Sequence, residues 1–274
     1  MKKLFVIFIT VVFTVTGCKN NQQTKYTILG DYTSYEGFIE KMNGNVEKIV
    51  ERMYWTVAVA DTFKKGNLVT IKERDSLKAY YDYEADFDSV GNLLSCKYLD
   101  ENNKIVGDWQ FSKENNKLAL AQLTWQDTIR QYQKLKCDEK GRIIEAKGYR
   151  AKVDTLWYTY TVNYNEAGDT VVYLVYNSKG ILEWKALNLY NEKGQFMCYE
   201  TYDKDGAFTA SNKVIYNEKG KMSEVTFFDK DKKVTETVQR TYTQYDAKGN
   251  WLKAVSKDTK GHVFISERTY TYIN

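Results

Sequence analysis

The 274-residue chain has no proline and a single histidine. Ordinary usage would supply roughly 5% proline. Proline removes a backbone donor and interrupts sheet ladders and helix interiors. Its absence suits a chain that is almost wholly hydrogen-bonded sheet. The lone His262 excludes any two-histidine zinc site, and no H-E-x-x-H motif is present. A Ser-His-Asp arrangement would have to use His262, which follows Gly261 in a turn and is expected at the surface. An excess of one charge is also missing: 40 Lys and Arg face 36 Asp and Glu. Lys2 and Lys3 lie in a segment expected to be removed, which narrows the difference further. An interspersed, near-neutral surface gives no electrostatic footprint for nucleic acid. No cofactor motif and no metal-ligating cluster stands out, and no conventional enzyme is expected.

Cysteines are few, and their positions differ in meaning. Residues 1–17 have the layout of a signal peptide, with Lys2-Lys3 as the positive region and Leu4 to Val15 as a short apolar run. The run is too short to span a bilayer as a stable helix. It ends in Val15-Thr16-Gly17-Cys18. A small-residue pair before cysteine is the pattern of a bacterial lipoprotein, in which Cys18 becomes the lipidated N-terminus. Each acyl CH₂ buried in a membrane adds about 0.8 kcal/mol. Residues 18–28 are expected to be the lipidated cysteine and a polar tether, and residues 29–274 a single domain. Lys19 follows Cys18, and the aspartate associated with inner-membrane retention is absent there. Outer-membrane anchoring is expected, with the periplasmic and outside faces both open. The odd set Cys96, Cys137 and Cys198 cannot all pair within the chain. They are expected to be small buried hydrophobes.

What the chain has in abundance is a repeat: an aromatic or large residue, Asp or Asn, two variable residues, Gly, one residue, then an apolar one. Clear copies run Phe87 to Leu93, Cys137 to Ile143, Tyr190 to Phe196, Tyr202 to Phe208, Tyr216 to Met222 and Tyr245 to Trp251. Tyr164 to Gly168 and Tyr176 to Leu182 are further copies, while Asn103 and Lys232 replace the glycine in two more. The chemistry is that of a turn. The Asx side chain accepts a backbone N–H two residues on, the next two residues take type I angles, and glycine tolerates positive φ. Such a turn joins antiparallel strands. Asn103 fits this geometry, and Lys232 is expected to be strained or to form a different loop.

Glycines 168, 180, 194, 206, 220 and 232 step by 12 or 14 residues, with Lys232 at the last place. Strands of about 8–10 residues fit between four-residue turns. Even steps predict that each turn returns the same parity to the same face. The step from 232 to 249 is odd, so a bulge must reset the parity between Val234 and Tyr245. Even offsets give a drier face holding Leu174, Tyr176, Trp184, Tyr190, Tyr202 and Phe208, among others. The opposite face is too apolar to be freely solvated throughout. The fold class is therefore all-β, an antiparallel meander of hairpins in a curled or barrel-like sheet with part of its second face covered. Earlier in the chain, Asp31 to Gly37 and Asn43-Gly44-Asn45 are turn signals. Val46 to Ala60 reads as a long strand, with a helix opening at Asn45 as the alternative, and Trp55 to Ala60 looks buried. Lys65-Gly66-Asn67 is expected to turn the chain into a strand at Leu68 to Ile71.

Over roughly residues 83–267 these copies resemble the tyrosine-aspartate (YD, or RHS-like) repeats of bacterial secreted proteins. They are also similar to the hairpin repeats of lipoproteins from Gram-negative gut bacteria. The resemblance implies antiparallel strands in curled or barrel-like sheets. It implies no activity, and the chain has no spare segment to be an enclosed toxin.

Carrying the glycine-bulge register across the sheet gives rows on the drier face: Leu174, Trp184, Tyr202, Phe208; then Val172, Ala186, Glu200, Ala210; then Thr170, Asn188, Cys198, Asn212, Thr226, Glu236. Trp184 and Tyr202 could stack on a sugar ring, with Asn188, Glu200 and Asn212 supplying hydrogen bonds, as in pockets with aromatic walls and few polar groups. The same residues would equally serve as a barrel interior, each buried aromatic contributing roughly 1.5–3 kcal/mol. Glu200 and Glu224 share a face, which raises a two-carboxylate glycosidase. The leading expectation is a non-enzymatic envelope lipoprotein that serves as a binding or interaction module, with a glycan as one candidate ligand. The alternatives are a structural or immunity-type protein that binds another protein through a sheet edge or face, and a glycan hydrolase.

Overall fold

The computed structural model describes residues 26–27, 40–59, 62–77, 81–89, 91, 93–139, 141–167 and 170–273. The expected signal peptide, Cys18 and the turn from Asp31 to Gly37 lie outside the described residues. Strands β1 (Tyr26–Thr27) and β2 (Glu40–Lys41) make a small two-stranded sheet. The main sheet opens with β3 (Val46–Val59) and β4 (Thr62–Leu68), followed by one short helix, α1 (Ile71–Leu77). It continues as β5 (Asp82–Phe87), β6 (Leu93–Leu99), β7 (Ile105–Glu114), β8 (Lys117–Trp125), β9 (Thr128–Cys137) and β10 (Ile143–Arg150). Then come β11 (Thr155–Tyr164), β12 (Thr170–Asn177), β13 (Leu182–Tyr190), β14 (Phe196–Asp203) and β15 (Phe208–Tyr216). The last four are β16 (Met222–Phe228), β17 (Val234–Tyr245), β18 (Trp251–Asp258) and β19 (Val263–Tyr272).

All neighbours pair antiparallel, and β19 returns to β3, closing a barrel of 16 strands. β3 is shared: its lower half pairs with β5 from Lys48 to Glu51, and its upper half with β4 from Tyr54 to Val59. β4 is therefore an extra strand beside the ring. The predicted turn at Lys65-Gly66-Asn67 is instead a bulge inside β4. A Cβ on Gly66 would meet the Trp55 carbonyl at 3.0 Å, which makes glycine the fitting residue. The predicted strand at Leu68 to Ile71 ends at Leu68, and α1 takes over. Thr70 caps α1: its hydroxyl accepts the Glu73 N–H, while the Glu73 carboxylate accepts the Thr70 N–H at 2.8 Å. The upper end of β3 is exposed at Val57, Ala58 and Val59 rather than buried, because the strand runs past the end of β19.

The turns behave as their chemistry demands. Asn177, Asn191, Asp203, Asn217, Asp229, Asp246 and Asp258 each accept backbone N–H groups two and four residues on. Lys232 keeps the same loop, with its N–H on the Asp229 carbonyl, and adopts φ 60° where the other copies place glycine or Asn103. Strain is therefore present and a different loop is not. Two further hairpins turn on Asn115-Asn116 and Gln126-Asp127, both pairs at positive φ, as two-residue type I′ turns require.

The parity expectation fails for an instructive reason. From β12–β13 to β16–β17 each hairpin is followed by one bulge residue with no partner of its own: Glu183, Met197, Thr209, Ser223 and Thr235 in successive strands. One extra residue flips the alternation. An even spacing plus one bulge sends successive aromatic pairs to opposite faces. Tyr190–Phe196 and Tyr216–Met222 point into the barrel, whereas Tyr176–Leu182, Tyr202–Phe208 and Phe228–Val234 point out. The odd step is reset where predicted, by register shifts around Thr243.

Candidate functional site

Following the ladders around the ring gives one continuous inner face. It holds Ile49 and Glu51 of β3, Tyr83 and Ala85 of β5, Trp109 of β7, Gln133 of β9, Tyr158 and Tyr160 of β11, and Tyr173 of β12. Asn188, Val214, Val238, Arg240, Ala254 and Arg268 continue it, and all of these are buried. The lumen is thus filled with side chains. The outer wall is charged. Lys48 binds Glu84 at 3.0 Å, Lys97 binds Glu84 and Asp86 at 2.9 Å, and Lys134, Lys185 and Lys213 stand at mid-height. At barrel mid-height a lipid-facing Lys or Arg costs about 2–4 kcal/mol.

This wall divides the five residues singled out from sequence. Trp184, Asn188 and Asn212 face inward, and Glu200 and Tyr202 face outward. They do not form one groove. Asn188 and Asn212 do share a row, as predicted, but the row reads Val171, Asn188, Tyr199, Asn212, Phe227, Glu236. The expected small neighbours are aromatic because the bulges shift alternate strands by one. Asn212 Oδ1 accepts the Tyr199 N–H at 3.0 Å, which fixes it as an interior strut.

Outside, near the upper turns, Tyr202 donates its hydroxyl to Glu200, and this hydrogen bond pushes the phenol up to about 12. The Phe208 ring stands edge-on to Tyr202 at 5.9 Å, and the Lys185 ammonium lies 5.5 Å from the Tyr202 centroid. Tyr202, Phe208, Lys185 and Glu200 make a small amphipathic strip that can contact the face of a planar ligand and bond its hydroxyls. The carboxylate pair does not assemble. Glu200 lies opposite Ser211 and Glu224 opposite Ile215, a stagger of roughly 13 Å along the strand against the 5–9.5 Å that such chemistry uses.

His262 is half-buried, and its Nδ1 lies 2.7 Å from Asp258 Oδ2, beside the Trp55 and Phe264 rings. Burial raises the Cys96 thiol to about 12, and Cys137 and Cys198 shift upward for the same reason. All three are free. Among the described residues no group of His, Cys, Asp and Glu is arranged to hold a metal ion.

Two charged clusters escaped sequence reasoning. Inside the barrel, fully buried Glu51 accepts from Arg268 Nε at 2.6 Å and from Tyr83 at 2.7 Å, with Arg240 Nη2 at 3.7 Å. Both guanidinium groups lie over the Trp251 ring, at 4.0 and 4.6 Å. The cluster ties β3, β5, β17, β18 and β19 across the closing seam. Where β3 forks, buried Asp82 takes Arg74 Nη2, Arg52 Nη1 and the Met53 N–H. Arg74 also donates to the Val69 and Met53 carbonyls. Glu51 and Arg268 stand 217 positions apart in sequence, so no local signal could have joined them.

A closed antiparallel barrel with a filled lumen and a charged outer wall is thus the class that the fold defines. No family model and no curated protein matches the chain. Among solved structures it is similar to a porin-like protein from Bacteroides uniformis, with TM-score 0.51 and 10% identity over 84% of this chain and 98% of that one. A porin-like protein from Bacteroides vulgatus gives 0.41 at 10% identity, over 83% and 99%. A TcdB2–TccC3 chain gives 0.18 at 12% identity, over 76% of this chain and 15% of that one. The first likeness is one of fold. The YD/RHS resemblance of the turns has no support from a sequence family.

Proposed function

We propose that this chain is a cell-envelope lipoprotein, anchored through an acylated Cys18 to the outer membrane, whose barrel stands in water as a non-enzymatic binding module. The observation that carries this reading is the inversion of the barrel: its lumen is filled and its outer wall is charged. A ligand must then be met on the outside. The outward strip of Tyr202, Phe208, Glu200 and Lys185 has the chemistry to hold a glycan. The inward Trp184, Asn188 and Asn212 support it from behind.

Two measurements test the reading. Cys18→Ala should move the protein from the membrane to the soluble fraction, and continued membrane association would refute the anchor. A glycan array should show binding by the wild type that Tyr202→Ala abolishes. Absence of any glycan signal, with a defined protein bound instead, would favour the alternative of a protein-binding module, for which the open sheet edge beside the ring is the supporting feature.

A further inference from the structure

Closure removes free edges from a sheet. Here each ring strand is hydrogen-bonded on both sides. β4 differs: it pairs with β3 from Tyr54–Leu68 to Val59–Thr62, and among the described strands none bonds its other edge. β5 takes its place on β3 only lower down, between Lys48 and Glu51. β19 reaches β3 no higher than Trp55, which pairs with Phe264. The β3–β4 hairpin therefore stands clear of the ring. Thr62, Phe63, Lys64, Lys65 and Asn67 are exposed, Phe63 to 45%. Its base is rigid. Val69 N–H bonds the Met53 carbonyl at 3.0 Å, and Arg74 clamps both segments to Asp82.

We propose that the open edge of β4 receives an extended acidic segment of another protein, which adds to it as a strand. The proposal deepens the binding-module reading and rests on it. Three observations converge. Among the described residues the edge's backbone N–H and C=O groups pair with no strand, the requirement for strand addition. It is held in extended form before binding, which lowers the ordering cost. Its side chains are Phe63 and two lysines with no acidic residue in the strand. Lys65 reaches Glu267 at 2.8 Å, while Lys64 makes no ion pair among the described residues. A second copy of this chain is a poor occupant, because β4 against β4 would oppose lysine to lysine, and like charges directly opposite are destabilising.

The test uses the full mature chain and three synthetic peptides: one alternating glutamate with valine, its lysine counterpart, and the acidic one N-methylated at alternate residues. The acidic peptide should bind roughly tenfold tighter than the lysine one, with amide shifts confined to Thr62–Leu68. The N-methylated peptide should not bind. Lys64→Glu should reverse the charge preference while leaving the melting temperature unchanged, since β4 lies outside the closed ring. Equal binding of both charged peptides, shifts elsewhere on the barrel, or no binding of the acidic peptide would overturn the proposal. So would a dimer in sedimentation that Lys64→Glu dissolves. A negative glycan array sinks the glycan arm and leaves this result standing, so the two failures are distinguishable.

Discussion

The two rims of the barrel are built from the same turn, yet they do opposite things with it. At the lower rim the residues flanking the glycine turns point inward: Phe87, Leu93, Ile143, Tyr190, Phe196 and Trp251 are all buried. Tyrosine hydroxyls then sew neighbouring hairpins together. Tyr164 donates to the Ile143 carbonyl at 3.0 Å, Tyr216 to Phe196 at 2.8 Å and Tyr242 to Met222 at 2.9 Å. At the upper rim the same positions point outward. Ile105 and Val234 are exposed, as are Ile129, Val153 and Ile181 near the upper turns. The single bulge residue that follows most of these turns makes the difference. The lower rim is a floor for the core, and the upper rim is free to make contacts.

The largest effects should therefore come from the floor and the seam it closes. Trp251, at 1% exposure, underlies two guanidinium groups. Trp251→Ala should cost about 3–5 kcal/mol, read by denaturant unfolding. Val234→Ala, on a residue 58% exposed, should stay within about 0.5 kcal/mol. A comparable loss at Val234 would break the contrast between the rims. Glu51→Ala leaves Arg240 and Arg268 facing each other without their carboxylate, and should cost about 3–5 kcal/mol.

A smaller effect isolates the hydroxyl ladder. Tyr216→Phe keeps the ring and removes the bond to the Phe196 carbonyl, for an expected loss of about 1 kcal/mol. Tyr202→Phe, on the outer wall, should cost less, because water can serve Glu200 in its place. Equal losses would show that the inner hydroxyls have no special part in the floor.

The turns were legible in the sequence because their chemistry is local. An Asx side chain and a glycine within four residues determine the whole loop, and even Lys232 adopts it. The assignment of faces was not legible. The bulge residues Glu183, Met197, Thr209, Ser223 and Thr235 all stand three positions after the turn's glycine position, but no one side-chain type runs through them, so the residue itself does not announce the shift. Moving one residue out of register moved Tyr202 and Glu200 to the other side of the wall from Trp184 and Asn188. The Glu51 cluster was hidden for a different reason: it joins residues from the two ends of the chain. The position of β4 beside the ring, rather than in it, follows from that same closure.

Acid should probe both rims at once. Burial pushes the Asp246 carboxyl up, but the Tyr272 hydroxyl and the Asn250 and Lys248 N–H groups outweigh it and hold it below its ordinary value. At the upper rim burial likewise raises Asp258, and His262 with the backbone N–H of Lys260 brings it below. A carboxyl whose folded pKa is depressed adds stability above its unfolded value of about 3.9. That contribution fades as pH falls through the folded value. The melting temperature should thus drop as the pH is lowered below about 4. Asp246→Asn or Asp258→Asn should flatten the drop. An unchanged slope in both variants would place the acid sensitivity elsewhere.

The smallest effect concerns Lys232, the one upper-rim turn that keeps a bulky residue at φ 60° where the other turns of this motif use glycine or asparagine. The left-handed conformation costs a non-glycine residue roughly 1–2 kcal/mol. Lys232→Gly relieves that strain but adds freedom to the unfolded chain, worth roughly 0.5–1 kcal/mol. The net gain should be about 0.5 kcal/mol, visible as a small rise in melting temperature. Gly206→Ala, at φ 83° in the neighbouring upper turn with open space around its Cβ position, should show the strain without the relief and lose about 1 kcal/mol. If Lys232→Gly destabilises instead, the lysine is held by more than its turn. The Lys232 ammonium lies 5.5 Å from the Phe208 centroid, so the outward aromatic strip would be the source of that hold. The upper rim would then contribute to stability through its surface, as the lower rim does through its core.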